Sequence, residues 1–356
     1  MGIVAPLALR IDLLDPITLH TYLANPAYLE TVVLAASQQQ IVIDEVQKAP
    51  EVLSVVHRLI EMKRGWQFIL TGSSLRKLKR AGVDLLGGRA LLRYMHPFIA
   101  AELQEAFVLE RALQYGLLPG ALMNTSPADF LRAYLALYLK EEVQQEALVR
   151  NIGHFARFLE AMAFSHANIL NISNIARGCQ LSRATVEGYL SILEDLLLGF
   201  QLPIFSRRAK RALISHRKFY YFDAGVYHFL RAKGPMDVAT EIQGAALEGL
   251  VAQHLRAWND YQGSPHAISY WRTRNGLEVD FVIYGENIFY AIEVKNNTQV
   301  HSQDLRGLKE FCIDYPEATP IFLHRGRDRL KIAGIDCVPV ADFLLHIPIT
   351  PEARFY

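Results

Sequence analysis

Short apolar runs alternate with amphipathic helical patterns along the first 125 residues, and this alternation limits the fold more than any other feature. The runs lie at residues 7–13, 41–43 and 68–70. Short strands that alternate with helices form βα units, which bring their strands into one parallel sheet. Residues 1–125 are therefore predicted to form an α/β module.

The remaining sequence changes its pattern twice. Residues 126–205 have an almost purely helical pattern, and residues 206–243 form a basic connecting segment after Pro203. Residues 244–356 mix a helical stretch with strand-like segments, which predicts an α+β domain. At roughly 150 residues per domain, the length also favours two or three domains.

The strand-like segments of the last part lie at residues 268–274, 278–284 and 288–294. Asn275-Gly276 joins the first two segments, and Asn-Gly between alternating runs is a strong hairpin signal. The sequence therefore predicts an antiparallel pair at this position.

Composition excludes several classes of protein. The 37 Lys and Arg residues balance 36 Asp and Glu residues, so bulk charge indicates neither a nucleic acid nor a membrane partner. Three dispersed cysteines argue for a reducing compartment and against a disulfide framework. The sequence has neither a signal-peptide pattern nor an apolar run of about 18 residues. It predicts a cytoplasmic protein with no membrane partner.

The string IVIDE ends an apolar strand in two carboxylates, Asp44 and Glu45. Ligands bind at the carboxyl ends of strands in open α/β sheets, and the next apolar run ends near Thr71 and Ser73 at the same edge. In P-loop ATPases the Asp holds Mg²⁺ and the Glu acts on the attacking water, while an arginine such as Arg89 stabilises phosphate charge. The alternative is that these carboxylates simply end a strand, since short motifs also occur by chance.

The phosphate-binding loop that this chemistry requires is absent from the sequence. Its pattern, GxxxxGK[ST], supplies backbone N–H groups and a lysine to the phosphates, and no such string occurs in the 356 residues. Without that loop, little would bring phosphates to Asp44. We therefore expect weak ATP binding or none.

Four charged residues near the C-terminus suggest a second site. Asp280 lies in the apolar segment VDFVIY, while Glu293 and Lys295 lie in AIEVK, where residues two apart share a face of the strand. With Glu248 on the preceding helix, the carboxylates could bind Mg²⁺ for phosphodiester hydrolysis, and Lys295 could position water or balance charge. Gln253 is a weaker candidate. The alternative is a salt-bridged strand pair on a solvent face, which the apolar surroundings disfavour.

Two features bear on nucleic acid as a partner. The string ISNIARGCQLSRATVEGYLSIL predicts a helix-turn-helix, but its exposed basic candidate, Arg183, is accompanied by an acid, which favours winged-helix packing over base reading. Residues 207–218 contain six Lys or Arg and no acid. They form either a phosphate-contacting strip or, equally, a solvated face. The candidate phosphate contacts are Arg207, Arg208, Lys210 and Arg211. The sequence leaves a homo-oligomer open.

Several segments in a fixed order resemble a known family. They are IVIDEVQK, FILTGSS, LLGGRALL, YLSILEDLLL, FYYFDAGV, ALEGLVAQHL, WRTRNGLEVDFVI and AIEVK. The chain resembles, over nearly its whole length, bacterial and archaeal AAA-type P-loop ATPases with a C-terminal restriction-endonuclease-like domain of unknown function. The resemblance implies an α/β fold class with three parts: an incomplete P-loop NTPase-type parallel sheet, a helical winged-helix-like middle and an α+β restriction-endonuclease-like C-terminal domain.

The resemblance also implies residue roles. Asp44 and Glu45 match the Walker B pair, Thr71 or Ser73 the sensor, and Arg89 the family's arginine, while Glu248, Asp280, Glu293 and Lys295 match the PD-(D/E)XK nuclease pattern. In that family a strand and the phosphate-binding loop precede ALRIDLLDP, near which this sequence begins. We therefore expect a truncated ATPase, in which the strand ending at Thr71 lacks a parallel partner on the side that faces residues 90–94.

The predicted function is that of an ATPase-family protein with a nuclease-like C-terminal domain, acting on or near nucleic acid. Its expected cofactors are Mg²⁺ and, as a family expectation only, ATP. The alternative is a non-catalytic regulatory protein, binding nucleic acid or protein, in which both sites are vestigial.

Overall fold

The computed structural model describes residues 7–72, 87–138, 151–207, 209, 211, 213 and 215–347. These residues form two compact units. The described residues up to Leu92, with Asp195–Leu197, form the first unit, and the other described residues form the second. No helix within these ranges is long and apolar enough to cross a membrane.

The first unit contains a small parallel sheet, as the alternation of apolar runs predicts. Its strands, in spatial order, are β1 (Leu9–Asp12), β2 (Gln40–Asp44) and β3 (Gln67–Leu70). The helices of this unit are α1 (Pro16–Ala24), α2 (Tyr28–Ala35) and α3 (Val52–Glu61). Ile41 and Ile43 of β2 share a fully buried core with Leu53, Val56 and Leu59 of α3. That shared core fixes the carboxyl end of β2, where Asp44 lies.

The strand β3 forms one edge of this sheet. Among the residues that the structure describes, β3 pairs with β2 alone, and Phe68, Ile69 and Leu70 are only half-buried. A strand with an unpaired edge offers its free N–H and C=O groups to a further strand. The expected lack of a second partner beside the strand ending at Thr71 stays a prediction, since residues 73–86 lie outside the described residues.

The second unit begins with short helices and continues with alternating helices and strands. The first helices are α4 (Ala100–Leu103), α5 (Leu109–Tyr115), α6 (Pro119–Met123) and α7 (Pro127–Ala133). The next elements are α8 (Ile152–Ala163), β4 (Asn168–Ile169), α9 (Ile172–Cys179), α10 (Arg183–Asp195), β5 (Gly199–Leu202), β6 (Lys218–Tyr221) and α11 (Ala224–Leu230).

The middle of the chain is helical, but it also contains a small antiparallel sheet in the order β4–β6–β5. The strands β4 and β5 interrupt the helical pattern expected over residues 126–205. The strand β6 and helix α11 lie in residues 206–243, which the sequence presented as a basic connecting segment. Every residue of β6 is buried because it combines three aromatic side chains with an internally paired lysine.

The last part of the second unit is a mixed sheet with helices. In chain order its elements are α12 (Ala239–Tyr261), β7 (Ala267–Arg272), β8 (Glu278–Tyr284), β9 (Phe289–Val294), α13 (Arg306–Asp314), β10 (Thr319–His324), β11 (Leu330–Ile332), β12 (Ile335–Pro339) and α14 (Val340–Leu345). The six strands lie in the order β11–β12–β10–β9–β8–β7. The strands β9, β10 and β12 run parallel, and the other neighbours are antiparallel.

The predicted hairpin joins β7 to β8, and its turn uses Gly276 with φ +85°, a conformation that L side chains rarely adopt. A bulge interrupts the pair. Trp271 pairs with Val279 and Ser269 with Val282, so two residues of β8, Asp280 and Phe281, lie opposite one residue of β7. An extra residue of this kind changes the direction of nearby side chains. The bulge therefore falls at the residue that the sequence analysis singles out on this strand.

Candidate functional site

The structure brings three of the predicted nucleotide-site residues together at the end of β2. The hydroxyl of Thr71 donates a hydrogen bond to the carboxylate of Asp44, and the N–H of Glu45 donates to the same hydroxyl oxygen at 3.2 Å. Glu45 has φ 56°, in the left-handed region, and turns the chain away from the strand. No phosphate-binding loop accompanies this cluster in the sequence, so the residues present do not fit ATP by themselves.

The other two residues of that prediction are not placed in this cluster. Arg89 forms an ion pair with Glu61 and donates to the carbonyl of Gly87 at 3.3 Å. Glu61 is the last residue of α3, which starts after β2 and runs back towards the start of β3, away from Asp44. Ser73 lies outside the described residues.

Two of the predicted C-terminal residues, Glu248 and Asp280, meet around a lysine that the sequence analysis did not select as a site residue. The ammonium of Lys218 lies 2.6 Å from Glu248 Oε1, 2.6 Å from Glu278 Oε1 and 3.2 Å from Asp280 Oδ1. The residue is only 2% exposed, so water does not screen these contacts. Three carboxylates thus surround one buried ammonium group.

The lysine and the carboxylates that surround it lie on different elements. Lys218 begins β6, Glu248 lies within α12, and Glu278 and Asp280 lie on β8 beside the bulge. Tyr220 shares a face of β6 with Lys218, and its hydroxyl donates to Glu248 at 2.5 Å. Burial of the aromatic residues of β6 therefore also fixes the position of the ammonium group.

A second lysine–carboxylate pair lies next to Lys218 and its three carboxylates. Lys295 Nζ is 2.5 Å from Glu293 Oε1, and Asp280 Oδ2 accepts the N–H of Val294 at 2.9 Å. Glu293 Oε2 is buried and has no hydrogen-bond partner within the described part of the chain. The side chain of Lys295 is 39% exposed, so solvent reaches this end. We call Lys218, Glu248, Glu278, Asp280, Glu293 and Lys295 the carboxylate–lysine cluster.

Burial and mutual charge shift the pKa values within the cluster. Burial and the charge of Asp280 raise the pKa of Glu248 to about 7, and the same two causes raise that of Glu293 well above its ordinary value. Burial acts to raise the pKa of Asp280 as well, but the ammonium groups of Lys218 and Lys295 outweigh it and lower that pKa. The cluster therefore combines one firmly ionised carboxylate with two that hold protons readily.

Whether the cluster fits Mg²⁺ depends on which of its carboxylate oxygens could bind the ion. Among the described residues no three His, Cys, Asp or Glu side chains are grouped to hold a metal ion, so the structure does not form the predicted site of Glu248, Asp280 and Glu293. Glu248 instead pairs with Lys218 and Tyr220. Mg²⁺, however, often uses one or two carboxylates and keeps several waters. Asp280 and the unpartnered Glu293 Oε2 fit that smaller requirement.

The predictions overlooked Lys218, Tyr220 and Glu278. The sequence analysis groups Lys218 with the basic stretch of residues 207–218, although Lys218 directly precedes the aromatic run FYYF, which indicates that a buried strand starts there. The weaker candidate Gln253 is not part of the cluster. Its side-chain amide donates to the carbonyl of Phe98 at 3.4 Å.

The candidate nucleic-acid contacts are mostly engaged within the protein. Arg211 lies 2.9 Å from Glu310 and 2.7 Å from Asp314. Arg207 stacks over the ring of Tyr284 at 4.6 Å, and Arg183 lies 3.6 Å from its neighbour Glu187. Arg208 and Lys210 lie outside the described residues. The described arginines therefore do not present a free strip of positive charge.

Comparison with protein families divides the chain into three segments. Residues 7–104 match the family described as "AAA domain". Residues 107–237 match "Domain of unknown function (DUF8612)", and residues 243–343 match "Domain of unknown function (DUF4143)". The protein thus carries an N-terminal AAA domain followed by two domains of unknown function.

Relatives occur in mycobacteria and in an archaeon. The chain is 25% identical over 333 residues to the uncharacterized protein Rv2008c of Mycobacterium tuberculosis and to Mb2031c of Mycobacterium bovis, covering 91% of this chain and 73% of each relative. It is 24% identical over 302 residues to MJ1544 of Methanocaldococcus jannaschii, covering 76% of this chain and 65% of that relative. The crystal structure of VC1899 from Vibrio cholerae aligns over 96% of both chains at 12% identity, with a TM-score of 0.24.

Proposed function

We propose that the protein is an AAA-domain protein whose C-terminal part hydrolyses phosphodiester bonds in nucleic acid with the help of Mg²⁺. One observation carries the proposal, namely the buried and unpartnered Glu293 Oε2 beside Asp280 and Lys295. The order of elements supports it as well. A helix, a three-stranded meander, a second helix and a parallel strand follow one another from α12 to β10, which is compatible with the α+β domain that the resemblance implies.

The residues of the cluster have separable roles in this proposal. Asp280 and Glu293 hold the metal, and Lys295, at the exposed end, contacts the phosphate and balances its charge. Bound Mg²⁺ supplies Lewis-acid polarisation of the phosphodiester. The bond from Val294 N–H to Asp280 Oδ2 keeps that carboxylate beside the end of β9, so the metal-binding groups need little rearrangement.

Cleavage assays on the full chain test the proposal. We expect cleavage of at least one of single-stranded, duplex or branched DNA or RNA in the presence of Mg²⁺ or Mn²⁺. Glu293→Gln and Asp280→Asn should remove most of it, and Lys295→Ala should lower it by on the order of 10²-fold because charge stabilisation is lost. The control is Asp336→Asn, an exposed carboxylate paired with Lys331, which should cleave like the wild type.

Two outcomes would contradict the proposal. Wild-type protein that leaves every substrate intact with both metals would favour the alternative of a binding protein with a vestigial site. Cleavage that survives in both Glu293→Gln and Asp280→Asn would place the activity elsewhere, or in a contaminant.

A further inference from the structure

We propose that Lys233 is a modification site, at which the side-chain amine reacts with small acyl phosphates while His228 takes up its proton. Lys233 is exposed in the segment between α11 and α12, and His228 lies near the end of α11. The inference concerns other residues than the proposed function and does not depend on it. Its basis is the contact between these two side chains.

The amine of Lys233 faces an imidazole rather than a carboxylate. Its Nζ lies 2.6 Å from His228 Nε2, which is hydrogen-bond distance. The nearest acid in the sequence, Asp237, is engaged elsewhere, because its two oxygens accept from Arg231 at 2.7 Å and from the N–H of Gly234 at 2.6 Å. Within the described residues, Lys233 forms no ion pair with a carboxylate. The ammonium form of Lys233 therefore lacks the counter-charge that would stabilise it.

Arg231 adds a positive charge beside this pair. Its guanidinium lies over the ring of Phe164 at 3.7 Å and pairs with Asp237, and these contacts fix its position. Burial and, after it, the charge of Arg231 lower the pKa of Lys233. Burial and the charge of Lys233 lower the pKa of His228 as well, so its ring is uncharged at neutral pH and accepts a proton. A lysine between another cation and a proton acceptor is an activated nucleophile.

The reaction balances with the acyl phosphate as its only co-reactant. His228 Nε2 takes one proton from the ammonium group of Lys233, which leaves a free amine. The amine nitrogen forms a bond to the acyl carbon, and the bond from that carbon to the phosphate oxygen breaks. The phosphate leaves with a second proton from the nitrogen, and the imidazolium gives its proton to water. The product is an amide, so acylation removes the positive charge of Lys233.

The charge of the segment favours an anionic acyl donor. Residues 231–238 contain two basic side chains and one acid, so their net charge is positive. Local positive charge raises the concentration of an anion such as an acyl phosphate near the amine.

Labelling of the full chain with isotope-labelled acetyl phosphate at neutral pH tests the inference. Peptide mass spectrometry measures the acetylation rate of each lysine in one sample. Lys233 should react faster than the exposed Lys309 and Lys331 by on the order of 10²-fold, since a positioned general base contributes a factor of this size. His228→Gln keeps a hydrogen-bond acceptor but cannot take up the proton, so Lys233 should slow to the rate of Lys309. His301→Gln, which replaces an exposed histidine, is the matched control and should leave the rate at Lys233 unchanged.

Two results would overturn the inference. One is an equal rate at Lys233, Lys309 and Lys331 in the wild type, and the other is a fast rate at Lys233 that survives in His228→Gln. If His228→Gln does not fold, wild-type protein unfolded in urea takes its place. The advantage of Lys233 should then disappear on unfolding, and an advantage that persists overturns the inference. None of these readouts depends on bound metal or on cleavage of nucleic acid.

Discussion

At the scale of single residues, His254 links stability to pH. Its Nε2 accepts the N–H of Ala100 at 2.9 Å, and its Nδ1 donates to the carbonyl of Leu250 at 2.7 Å. This arrangement requires a neutral ring, and burial lowers the pKa of His254 from 6.5 to about 4. The unfolded chain therefore binds a proton as pH falls below 6.5, while the folded protein does not. The stabilisation is complete above pH 6.5 and is lost as pH falls towards 4.

We expect His254→Gln to remove this dependence. Between pH 7 and pH 4 the variant should lose less unfolding free energy than the wild type, by on the order of 3 kcal/mol. Urea denaturation of the second unit at several pH values measures the difference. His301→Gln replaces an exposed histidine and should keep the wild-type dependence. An unchanged slope in His254→Gln would show that the ring is not held neutral.

Sequence patterns reveal some residues of the carboxylate–lysine cluster and miss others. Asp280, Glu293 and Lys295 stand out because each is a charge within an apolar strand, and the structure places them close together. Lys218 does not stand out, because the five basic residues before it suggest an exposed stretch. Its partners are at least 30 positions away in sequence, and such long-range pairing leaves no local pattern.

At the scale of elements, the start of α11 packs directly on the end of α5. A Cβ on Gly225 would lie 2.3 Å from both the carbonyl carbon and the carbonyl oxygen of Tyr115. Asp223 caps α11 by accepting the N–H of Val226 at 3.0 Å, and it also accepts that of Leu117 at 2.8 Å. The two backbones are therefore in contact, and only glycine leaves room at this position.

Gly225→Ala should destabilise the second unit by about 1–3 kcal/mol, because the backbone of Tyr115 must shift to admit a methyl group. Gly188→Ala is the matched control. Gly188 is exposed within α10 with nothing within 4 Å of an added Cβ, so alanine should stabilise slightly, by about 0.4–1 kcal/mol. Chemical denaturation measures both changes. Equal effects of the two substitutions would contradict the packing described here.

Elements differ in how well the sequence predicts them. The β7–β8 hairpin was predictable because Asn275-Gly276 is a local turn signal. The parallel sheet of the first unit was predictable from three apolar runs with helices between them. The strands β4 and β5 were not, because they have only two and four residues and their partner, β6, lies 16 or more residues further along the chain.

At the scale of the whole molecule, the boundaries of the family matches and those of the compact units differ. The matches to the two domains of unknown function end and begin near residue 240, yet the described residues of both segments, apart from Asp195–Leu197, lie in one compact unit. The ion pair between Lys218 and Glu278 crosses that boundary. The hydrogen bond between Ala100 and His254 likewise joins the segment matched by the AAA domain to the C-terminal segment. We infer that the two unknown domains fold as one cooperative body.

A double-mutant cycle tests this coupling across the boundary. Lys218→Met alone should cost about 3–5 kcal/mol, because it leaves buried carboxylates without their counter-charge. Glu278→Gln removes one of those carboxylates, which lies 2.6 Å from the ammonium, so the double variant should be more stable than the sum of the single effects predicts, by about 0.5–3 kcal/mol. The control cycle combines Lys218→Met with Asp336→Asn, an exposed C-terminal carboxylate, and should be additive within about 0.5 kcal/mol. Additivity in both cycles would mean that the middle segment contributes no buried charge to the C-terminal site.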